Sequence, residues 1–234
     1  MDTSERSTPA LRHAVVTGAS SGIGRAIVDR LLSDGWRVTG LCRSQIVSTN
    51  DSLRIVPVDV TDFEALGRVC DQLGPADALV HAAGFMRTAP LGQLSYEDGA
   101  AMWRLHVESA TFLADRLAPG MPAGGRIVLL GSRTANGAAT RSQYAATKSA
   151  LVGLARSWAA ELAPRGITVN VVAPGATDTP FLRDPGRAAT SPRLPPIGRF
   201  ITPEEVAALT GFLLSEGASA ITGQQIVMCG GASL

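Results

Sequence analysis

The sequence predicts an α/β protein: a single domain in which a doubly wound parallel β-sheet of about seven strands is flanked by helices. Short apolar runs rich in β-branched residues alternate with segments of helical periodicity, the pattern of parallel strands joined by helices. A glycine-rich turn follows the first run and opens the first helix. The length of 234 residues suits one well-buried domain.

The composition is that of an ordinary globular protein, with 45% hydrophobic and 18% charged residues and a net charge of +1. No lysine/arginine cluster indicates a nucleic-acid partner, and no apolar run is long enough to span a bilayer. Residues 1–10 are polar and lack the apolar segment of a signal peptide. We therefore expect a flexible N-terminus over 1–10, a catalytic domain over 11–234 and a cytoplasmic location.

Cysteine usage predicts neither a metal site nor a disulfide framework. Cys42, Cys70 and Cys229 are odd in number, far apart in the sequence and form no CxxC pair.

Seven runs have the length and composition of strands and are bounded by turn residues. They are His13–Thr17, Trp36–Leu41, Leu53–Val58, Ala78–His81, Arg126–Leu130, Ile167–Val172 and Gln225–Met228.

Helices are predicted between these strands from periodicity and capping residues. Ser95 can cap a long helix that runs to about Leu117, and Thr202 precedes a proline and two acids at another helix start. The remaining predicted helices span Gly22–Leu32, Asp62–Leu73 and Gln143–Leu162. The segment 174–201, rich in proline, glycine and arginine, is predicted to be a substrate lid, because long irregular segments in compact domains are usually functional.

Tyr144 and Lys148 form the most informative pair in the chain. A four-residue step on a helix returns nearly to the same face, so the lysine can lie beside the tyrosine and favour its phenolate. A phenol whose pKa is lowered in this way can exchange a proton with a carbonyl or alcohol oxygen while a nicotinamide exchanges hydride. The pair predicts a ketone/alcohol oxidoreductase.

The glycine-rich turn predicts where the dinucleotide binds. Gly18 permits a tight turn, Gly22 lets the backbone approach a pyrophosphate, and Gly24 lets the helix pack closely on the strand. The phosphates would lie at the N-terminus of the following helix, where unpaired N–H groups and the helix dipole favour anions.

Over nearly its whole length the chain resembles the short-chain dehydrogenase/reductase family, whose compact members have a single Rossmann-fold domain. The motifs occur in family order, each on or after a predicted strand. They are Thr17–Gly24 in the form T-G-x-x-x-G-x-G, Asp59, Ala82-Ala83-Gly84, Ser132, Tyr144 with Lys148, and Pro174-Gly175.

The resemblance implies the catalytic roles. Ser132 would polarise the substrate carbonyl, Tyr144 would give it a proton, and Lys148 would favour the phenolate and bind the nicotinamide ribose. The family has an asparagine on the long helix that helps hold a proton-relay water, and here that position falls at His106 or Val107. His106 is thus a candidate catalytic residue, although a packed core histidine is an equal alternative.

The resemblance also implies a cofactor-binding set. Asp59 would bind the adenine amino group with Val60 against the ring, and Thr179 suits the nicotinamide carboxamide better than Thr177. The complete set is Gly18, Ser20, Ser21, Gly22, Ile23, Gly24, Arg43, Asp59, Val60, Ala82, Ala83, Gly84, Tyr144, Lys148, Pro174, Gly175, Thr177 and Thr179.

NADP(H) is predicted over NAD(H). Family members that use NAD carry an acid about 18 residues past the last glycine, where this chain has Cys42. The following Arg43 suits a 2′-phosphate by charge and by bidentate geometry. Ser20, Ser21 and Arg25 could add donors and positive charge.

Two further positions depart from the family pattern. His81 stands where the family usually has the first asparagine of N-A-A-G, and Cys229 stands where it has the aspartate of D-G-G. We expect His81 to be a hydrogen-bonded core residue.

The substrate is expected to contact Phe85–Arg87, residues 133–143 and the lid. Arg87, Arg133, Arg141 and Arg183 indicate an anionic or strongly polar substrate, although each alone could be a solvated surface charge. A non-catalytic nucleotide-sensing regulator and a lyase, epimerase or dehydratase remain as alternatives. Relatives commonly form tetramers, so a homo-oligomer, a tetramer or dimer, is expected.

Overall fold

A computed structural model describes residues 11–184 and 193–234, so the predicted flexible N-terminus lies outside the described residues, as does part of the predicted lid. One seven-stranded sheet, parallel throughout, runs through the domain in the order β3-β2-β1-β4-β5-β6-β7. The strands are β1 (His13–Thr17), β2 (Arg37–Cys42), β3 (Leu53–Pro57), β4 (Ala78–His81), β5 (Arg126–Leu130), β6 (Thr168–Pro174) and β7 (Gln225–Met228). This confirms the predicted fold class, a single Rossmann-like domain.

Helices cover both faces of the sheet. They are α1 (Gly22–Ser33), α2 (Phe63–Asp71), α3 (Tyr96–Trp103), α4 (Ser109–Leu117), α5 (Ser142–Leu162) and α6 (Pro203–Leu213). The predicted capping residues are confirmed at two starts. Ser95 accepts a hydrogen bond from the Asp98 amide, and Thr202 forms a reciprocal capping box with Glu205.

Several predicted boundaries were wrong by one or two residues. Trp36 and Val58 lie just outside β2 and β3, whereas β6 begins one residue later than predicted and extends to Pro174. Periodicity locates an element better than its ends, because the terminal residues are fixed by hydrogen bonds that the pattern does not encode.

The hydrophobic core has two layers, one on each face of the sheet. Neighbouring residues of β1 point to opposite faces, so Val15 packs in the layer beneath α2, α4 and α5, whereas Val16 packs in the layer beneath α1 and α6. All five residues of β1 are buried, as expected for a central strand of a parallel sheet covered on both sides.

The strand order creates a crevice at the end of β1. The chain winds outward from β1 to β3 and then returns to place β4 on the other side of β1. The loops after β1 and β4 therefore diverge at the carboxyl edge, where doubly wound folds bind their ligands.

A π-helical turn, Arg104–Glu108, separates α3 from α4 within the predicted long helix. Periodicity predicted one continuous helix from Ser95 to Leu117, and the chain does remain helical over that span. Ser109 donates both to the Arg104 carbonyl five residues earlier and to the carbonyl of Val60. Within this turn the Leu105 carbonyl bonds to the His81 ring, and His106 is fully buried.

Among the residues that the structure describes, no helix combines the length and apolar character that crossing a membrane requires. In the same residues no three His, Cys, Asp or Glu side chains come together as a metal site would need.

Candidate active site

A cavity of ≈ 1400 Å³ lies at the carboxyl edge of the sheet, above the crevice between β1 and β4. Such a volume exceeds that of a typical small-ligand pocket and can hold a dinucleotide together with a second molecule. Every residue predicted to bind cofactor or to act in catalysis lines it, from Gly18 in the first loop to Thr179 after β6.

The glycine turn has the geometry that a pyrophosphate site requires. Gly18 has φ +69°, and a Cβ there would lie 3.0 Å from the backbone of Ala83. A Cβ on Gly24 would lie 2.2 Å from the Gly18 carbonyl oxygen, so any side chain would separate α1 from β1. Ser21 is the N-cap residue of α1, but its hydroxyl makes no capping hydrogen bond. The residue lines the cavity.

The far end of the cavity carries Arg43 and Asp59. The hydrogen bond from the Thr61 amide lowers the pKa of Asp59, and the charge of the exposed Arg43 lowers it further. One Asp59 oxygen accepts from both the amide and the hydroxyl of Thr61. The N-cap of α2 is Asp62, so Asp59 is not needed as a cap.

Arg25, by contrast, does not contribute to the cavity. It pairs with Asp29 one turn further along α1 at 2.9 Å and is absent from the lining. The prediction that Arg25 adds positive charge to the site was wrong because its helical partner holds it on the outer face.

Tyr144 and Lys148 lie side by side in the buried centre of the cavity. The Lys148 Nζ is 5.8 Å from the centroid of the Tyr144 ring and donates to the Leu130 carbonyl at 2.8 Å. Both residues are less than a tenth exposed. Burial lowers the pKa of Lys148 from its usual 10.5 to about 7.

Ser132 follows β5 after one intervening residue, Gly131, and lines the same cavity. Its hydroxyl is paired with that of Thr134 at 2.5 Å and accepts from the Thr134 amide at 3.2 Å. These bonds fix the Ser132 side chain at the start of the 3-10 turn Arg133–Asn136, which leads towards α5.

His81 links the glycine turn to the π-helical turn, as expected for a hydrogen-bonded core residue. Its Nε2–H donates to the Leu105 carbonyl at 3.0 Å, and its Nδ1 accepts from the Thr17 hydroxyl at 3.1 Å. The Thr17 oxygen in turn accepts from the amides of Ala82 and Ala83, both at 3.0 Å. Burial, reinforced by Lys148, lowers the pKa of His81 to about 3, so the ring is neutral.

His106 uses both ring nitrogens. Its Nε2 accepts from the Phe85 amide at 3.2 Å, and its Nδ1–H donates to the Thr147 hydroxyl at 2.8 Å, which itself donates to the Tyr144 carbonyl. The ring meets that of Tyr144 edge-on, with centroids 5.7 Å apart. Burial, with smaller contributions from Lys148 and His81, lowers the pKa of His106 well below 6.5.

Thr17 and Thr147 are the residues of this network that the sequence did not single out. Each lies inside a motif that was recognised, at the end of β1 and between Tyr144 and Lys148 respectively. The position of each hydroxyl inside a motif was the only signal in the sequence. Their roles could not be predicted from it, because Thr17 bonds to His81 and Thr147 to His106, which lie on other elements.

The turn after β6 packs against the glycine loop. Thr177 donates to the Gly175 carbonyl at 3.2 Å, which closes a turn, and Thr179 donates to the Thr177 carbonyl at 3.3 Å. The Thr179 methyl lies within 3.3 Å of the position that a Cβ of Gly22 would occupy.

An apolar cluster packs around the side chain of Tyr144. Met86, Met102 and Tyr144 form a buried cluster, with Phe85 and Phe181 packed against it. Of the four arginines predicted near the substrate, Arg87, Arg133 and Arg141 line the cavity. Arg183 does not, because its exposed side chain pairs with Asp178 at 2.8 Å, so that prediction was wrong.

Known proteins resemble the chain over nearly its whole length. Residues 18–233 match the family described as enoyl-(acyl carrier protein) reductase. The chain is 36% identical over 234 residues to the 3-oxoacyl-[acyl-carrier-protein] reductase FabG of Vibrio cholerae, covering 93% of this chain and 96% of that protein. It is also 36% identical over 229 residues to the 3-oxoacyl-[acyl-carrier-protein] reductase MabA of Mycobacterium tuberculosis, covering 94% of this chain and 92% of that protein.

Solved structures agree with this relationship. A short chain dehydrogenase family protein from Francisella tularensis superposes with a TM-score of 0.87 at 26% identity, covering 96% of this chain and 99% of that one. The structure of BdcA in complex with NADPH superposes with a TM-score of 0.82 at 32% identity, covering 94% of this chain and 93% of that one.

The chain belongs to the short-chain dehydrogenase/reductase family. It is an oxidoreductase of that family, acting on CH–OH groups with a nicotinamide dinucleotide as acceptor.

Proposed function

We propose that the protein is an NADP(H)-dependent oxidoreductase that interconverts a ketone or aldehyde and an alcohol, with Tyr144 as the acid and base. The observation that carries the proposal is the buried pair of Tyr144 and Lys148, which lines the same cavity as Ser132 and the glycine turn. When bound, a reduced nicotinamide would supply hydride to the carbonyl carbon.

The chain's own residues provide the polar part of the reaction. Ser132 donates a hydrogen bond to the substrate oxygen and holds the carbonyl against the Tyr144 hydroxyl. Tyr144 gives its proton to that oxygen as negative charge develops, and in alcohol oxidation it takes the proton back. The two bacterial relatives are 3-oxoacyl-[acyl-carrier-protein] reductases, which supports this reaction class.

Lys148 favours the phenolate only while it is protonated. Its pKa of about 7 in the protein alone means that near neutral pH a large fraction of the ammonium has lost its proton. The negative phosphates of a dinucleotide in the same cavity favour the ammonium and raise that pKa. Cofactor binding would thereby prepare the acid–base pair.

The choice of NADP(H) rests on Arg43. Its exposed guanidinium lines the adenosine end of the cavity and makes no hydrogen bond or ion pair with any residue the structure describes. Asp59 would bind the adenine, through the oxygen that Thr61 does not use, with Val60 against the ring. Thr179 is the proposed contact of the nicotinamide carboxamide.

We assign His106 to the positioning of Tyr144 rather than to proton relay. Both of its nitrogens are bonded to protein groups, and the Thr147 hydroxyl connects it to the Tyr144 backbone. Residues 174–201 are proposed as the substrate lid, with the bridge between Thr177 and Ile201 joining the two sides of its base. A homo-oligomeric assembly and a cytoplasmic location remain predictions.

A ketone panel tests the proposal against its main alternative, a nucleotide-sensing regulator. We expect NADPH to bind and to be oxidised when a suitable ketone is added, and Ser132→Ala to bind NADPH normally but to turn over at least about 100-fold more slowly. A protein that binds NADPH but fails to oxidise it with every ketone and aldehyde of the panel would be a regulator instead.

A further inference from the structure

The cavity carries an excess of positive charge, although the whole chain has a net charge of only +1. Among the described residues that line it, seven are lysine or arginine, and two, Asp59 and Asp184, have acidic side chains. A dinucleotide accounts for the charge near the glycine turn and Arg43.

Two of the lining arginines have clear roles within the protein. Arg87 stacks 5.1 Å from the Phe85 ring centroid and faces Asp184 at 3.5 Å. Arg104 donates to the Thr61 carbonyl at 2.9 Å and stacks on Phe63 at 4.5 Å.

Arg133 and Arg141 are different. The Arg141 Nε is buried without any hydrogen-bond partner, and its guanidinium makes no ion pair with the part of the chain described. Arg133 donates only to the Ala232 carbonyl at 3.3 Å and likewise has no carboxylate partner among residues 11–184 and 193–234. Burial lowers the pKa of Arg141, and the nearby charge of Arg133 lowers it further.

Their positions flank the reacting hydroxyls. Arg133 immediately follows Ser132, and Arg141, the residue just before α5, precedes Tyr144 by three residues. Two half-buried like charges destabilise the folded protein unless an anion neutralises them. A planar carboxylate matches guanidinium donors in bidentate geometry, which compensates for the loss of water.

We propose that Arg133 and Arg141 form a subsite for a carboxylate of the substrate, so that the enzyme acts on an oxo acid and the corresponding hydroxy acid. The inference rests on the proposed function, because it places the subsite next to the reacting carbonyl. Phe85 and Met86 form the apolar side of the same pocket and contact the carbon chain.

Matched substrates test the charge requirement. Acetoacetate is compared with methyl acetoacetate, and levulinate with methyl levulinate, using NADPH oxidation and kcat/KM. We expect kcat/KM for each acid to exceed that for its ester at least about 10-fold. Arg141→Gln or Arg133→Gln should lower kcat/KM for the acid about 10- to 100-fold and change kcat/KM for the ester little. Arg68→Gln, which removes an exposed charge from α2 outside the cavity, serves as the matched control.

A third pair, dihydroxyacetone phosphate and dihydroxyacetone, separates carboxylate from phosphate recognition. Selective use of the phosphate ester, with no preference for either acid, would overturn the assignment to a carboxylate. Equal use of acid and ester by the wild type would overturn the subsite while leaving the proposed oxidoreductase function intact.

Calorimetry of a complex that cannot turn over separates the two failures. Acetoacetate is titrated into Tyr144→Phe saturated with NADP⁺. The same titration is repeated with the double variant that carries both Tyr144→Phe and Arg141→Gln. Binding that Arg141→Gln weakens at least about 10-fold supports the subsite even if no ketone is reduced. Affinity that does not depend on Arg141 contradicts the subsite.

Discussion

Lys148 and Leu130 are joined by a hydrogen bond of 2.8 Å that ties α5 to the carboxyl end of β5. The bond explains how a lysine can be buried beside Tyr144 without a carboxylate partner among the described residues: a backbone carbonyl accepts a hydrogen bond from its ammonium group. It does not replace the water that an ammonium loses on burial, so the charged form remains costly.

This cost predicts a pH-dependent stability that Lys148→Met removes. Burial lowers the pKa of Lys148 to about 7, so between that value and 10.5 the unfolded chain binds more protons than the folded one. The free energy of unfolding contributed by Lys148 therefore rises with pH across this window, by at most about 1.4 kcal/mol per pH unit. Below pH 7 both states hold the proton, and the contribution is flat.

Urea unfolding of the cofactor-free wild type and Lys148→Met at several pH values above neutrality measures the effect. His81 and His106 stay neutral throughout that range because their pKa values are lowered. We expect the free energy of unfolding of the wild type, relative to that of Lys148→Met, to rise steadily with pH. Parallel stability curves would show that Lys148 keeps an ordinary pKa.

His106→Phe should lower both stability and turnover. The substitution leaves the Phe85 amide without an acceptor and removes the N–H that donates to the Thr147 hydroxyl, which keeps only its bond to the Tyr144 carbonyl; the expected cost is about 1–3 kcal/mol. The pH dependence of kcat/KM should keep its shape, because a neutral histidine adds no ionisation. Urea unfolding and kinetics across pH measure both effects.

His106→Asn is the matched control because an amide retains a donor and an acceptor. It should recover part of the lost turnover. A pH profile that changes shape in His106→Phe but not in His106→Asn would contradict the positioning role and support a relay.

The fold was predictable because its determinants are local. Alternating β-rich runs and helical periodicity gave all seven strands, and Ser95 and Thr202 marked helix starts that the structure confirms. The π-helical turn at Arg104–Glu108 was not predictable. It depends on contacts from Ser109 to Val60 and from Leu105 to His81, which join distant parts of the chain.

The site was predictable where a motif carries its own geometry. The glycine turn, Ser132, Tyr144 and Lys148 meet in one cavity because parallel strands end at the same edge. Long cationic side chains were less predictable. Arg25 and Arg183 pair with nearby acids, whereas Arg133 and Arg141 pair with no acid among residues 11–184 and 193–234, which only the folded structure shows.

Arg43→Ala should change nucleotide preference. Removing a guanidinium that would bind the 2′-phosphate should lower the affinity for NADPH about 10- to 100-fold and leave NADH binding nearly unchanged. Fluorescence titration with both nucleotides measures the ratio. Arg25→Ala is the control, since Arg25 pairs with Asp29 outside the cavity. Equal losses for the two nucleotides, or a wild-type preference for NADH, would refute the assignment to NADP(H).

Thr140→Gly should stabilise the protein. Thr140 has φ +64°, the left-handed region that a β-branched residue adopts at a cost, and it is the only non-glycine residue in that region among those described. Glycine relieves the strain but loses more entropy on folding, so the expected net gain is about 1 kcal/mol.

Thermal unfolding of Thr140→Gly and Thr140→Ala measures this strain. Alanine keeps a Cβ and therefore retains most of the left-handed cost, so it should give little or no gain. If both variants were equally stable, the conformation of Thr140 would not be a source of strain.

The most direct test of the central claim compares Tyr144→Phe with Tyr96→Phe, which together cover both tyrosines of the chain. Tyr96 is 87% exposed at the start of α3, so its variant is a matched control for losing one phenol. NADPH affinity and ketone-dependent NADPH oxidation are measured for each. The proposed mechanism predicts that Tyr144→Phe binds NADPH normally but loses turnover at least about 100-fold, whereas Tyr96→Phe retains it. Undiminished turnover in Tyr144→Phe would contradict the mechanism.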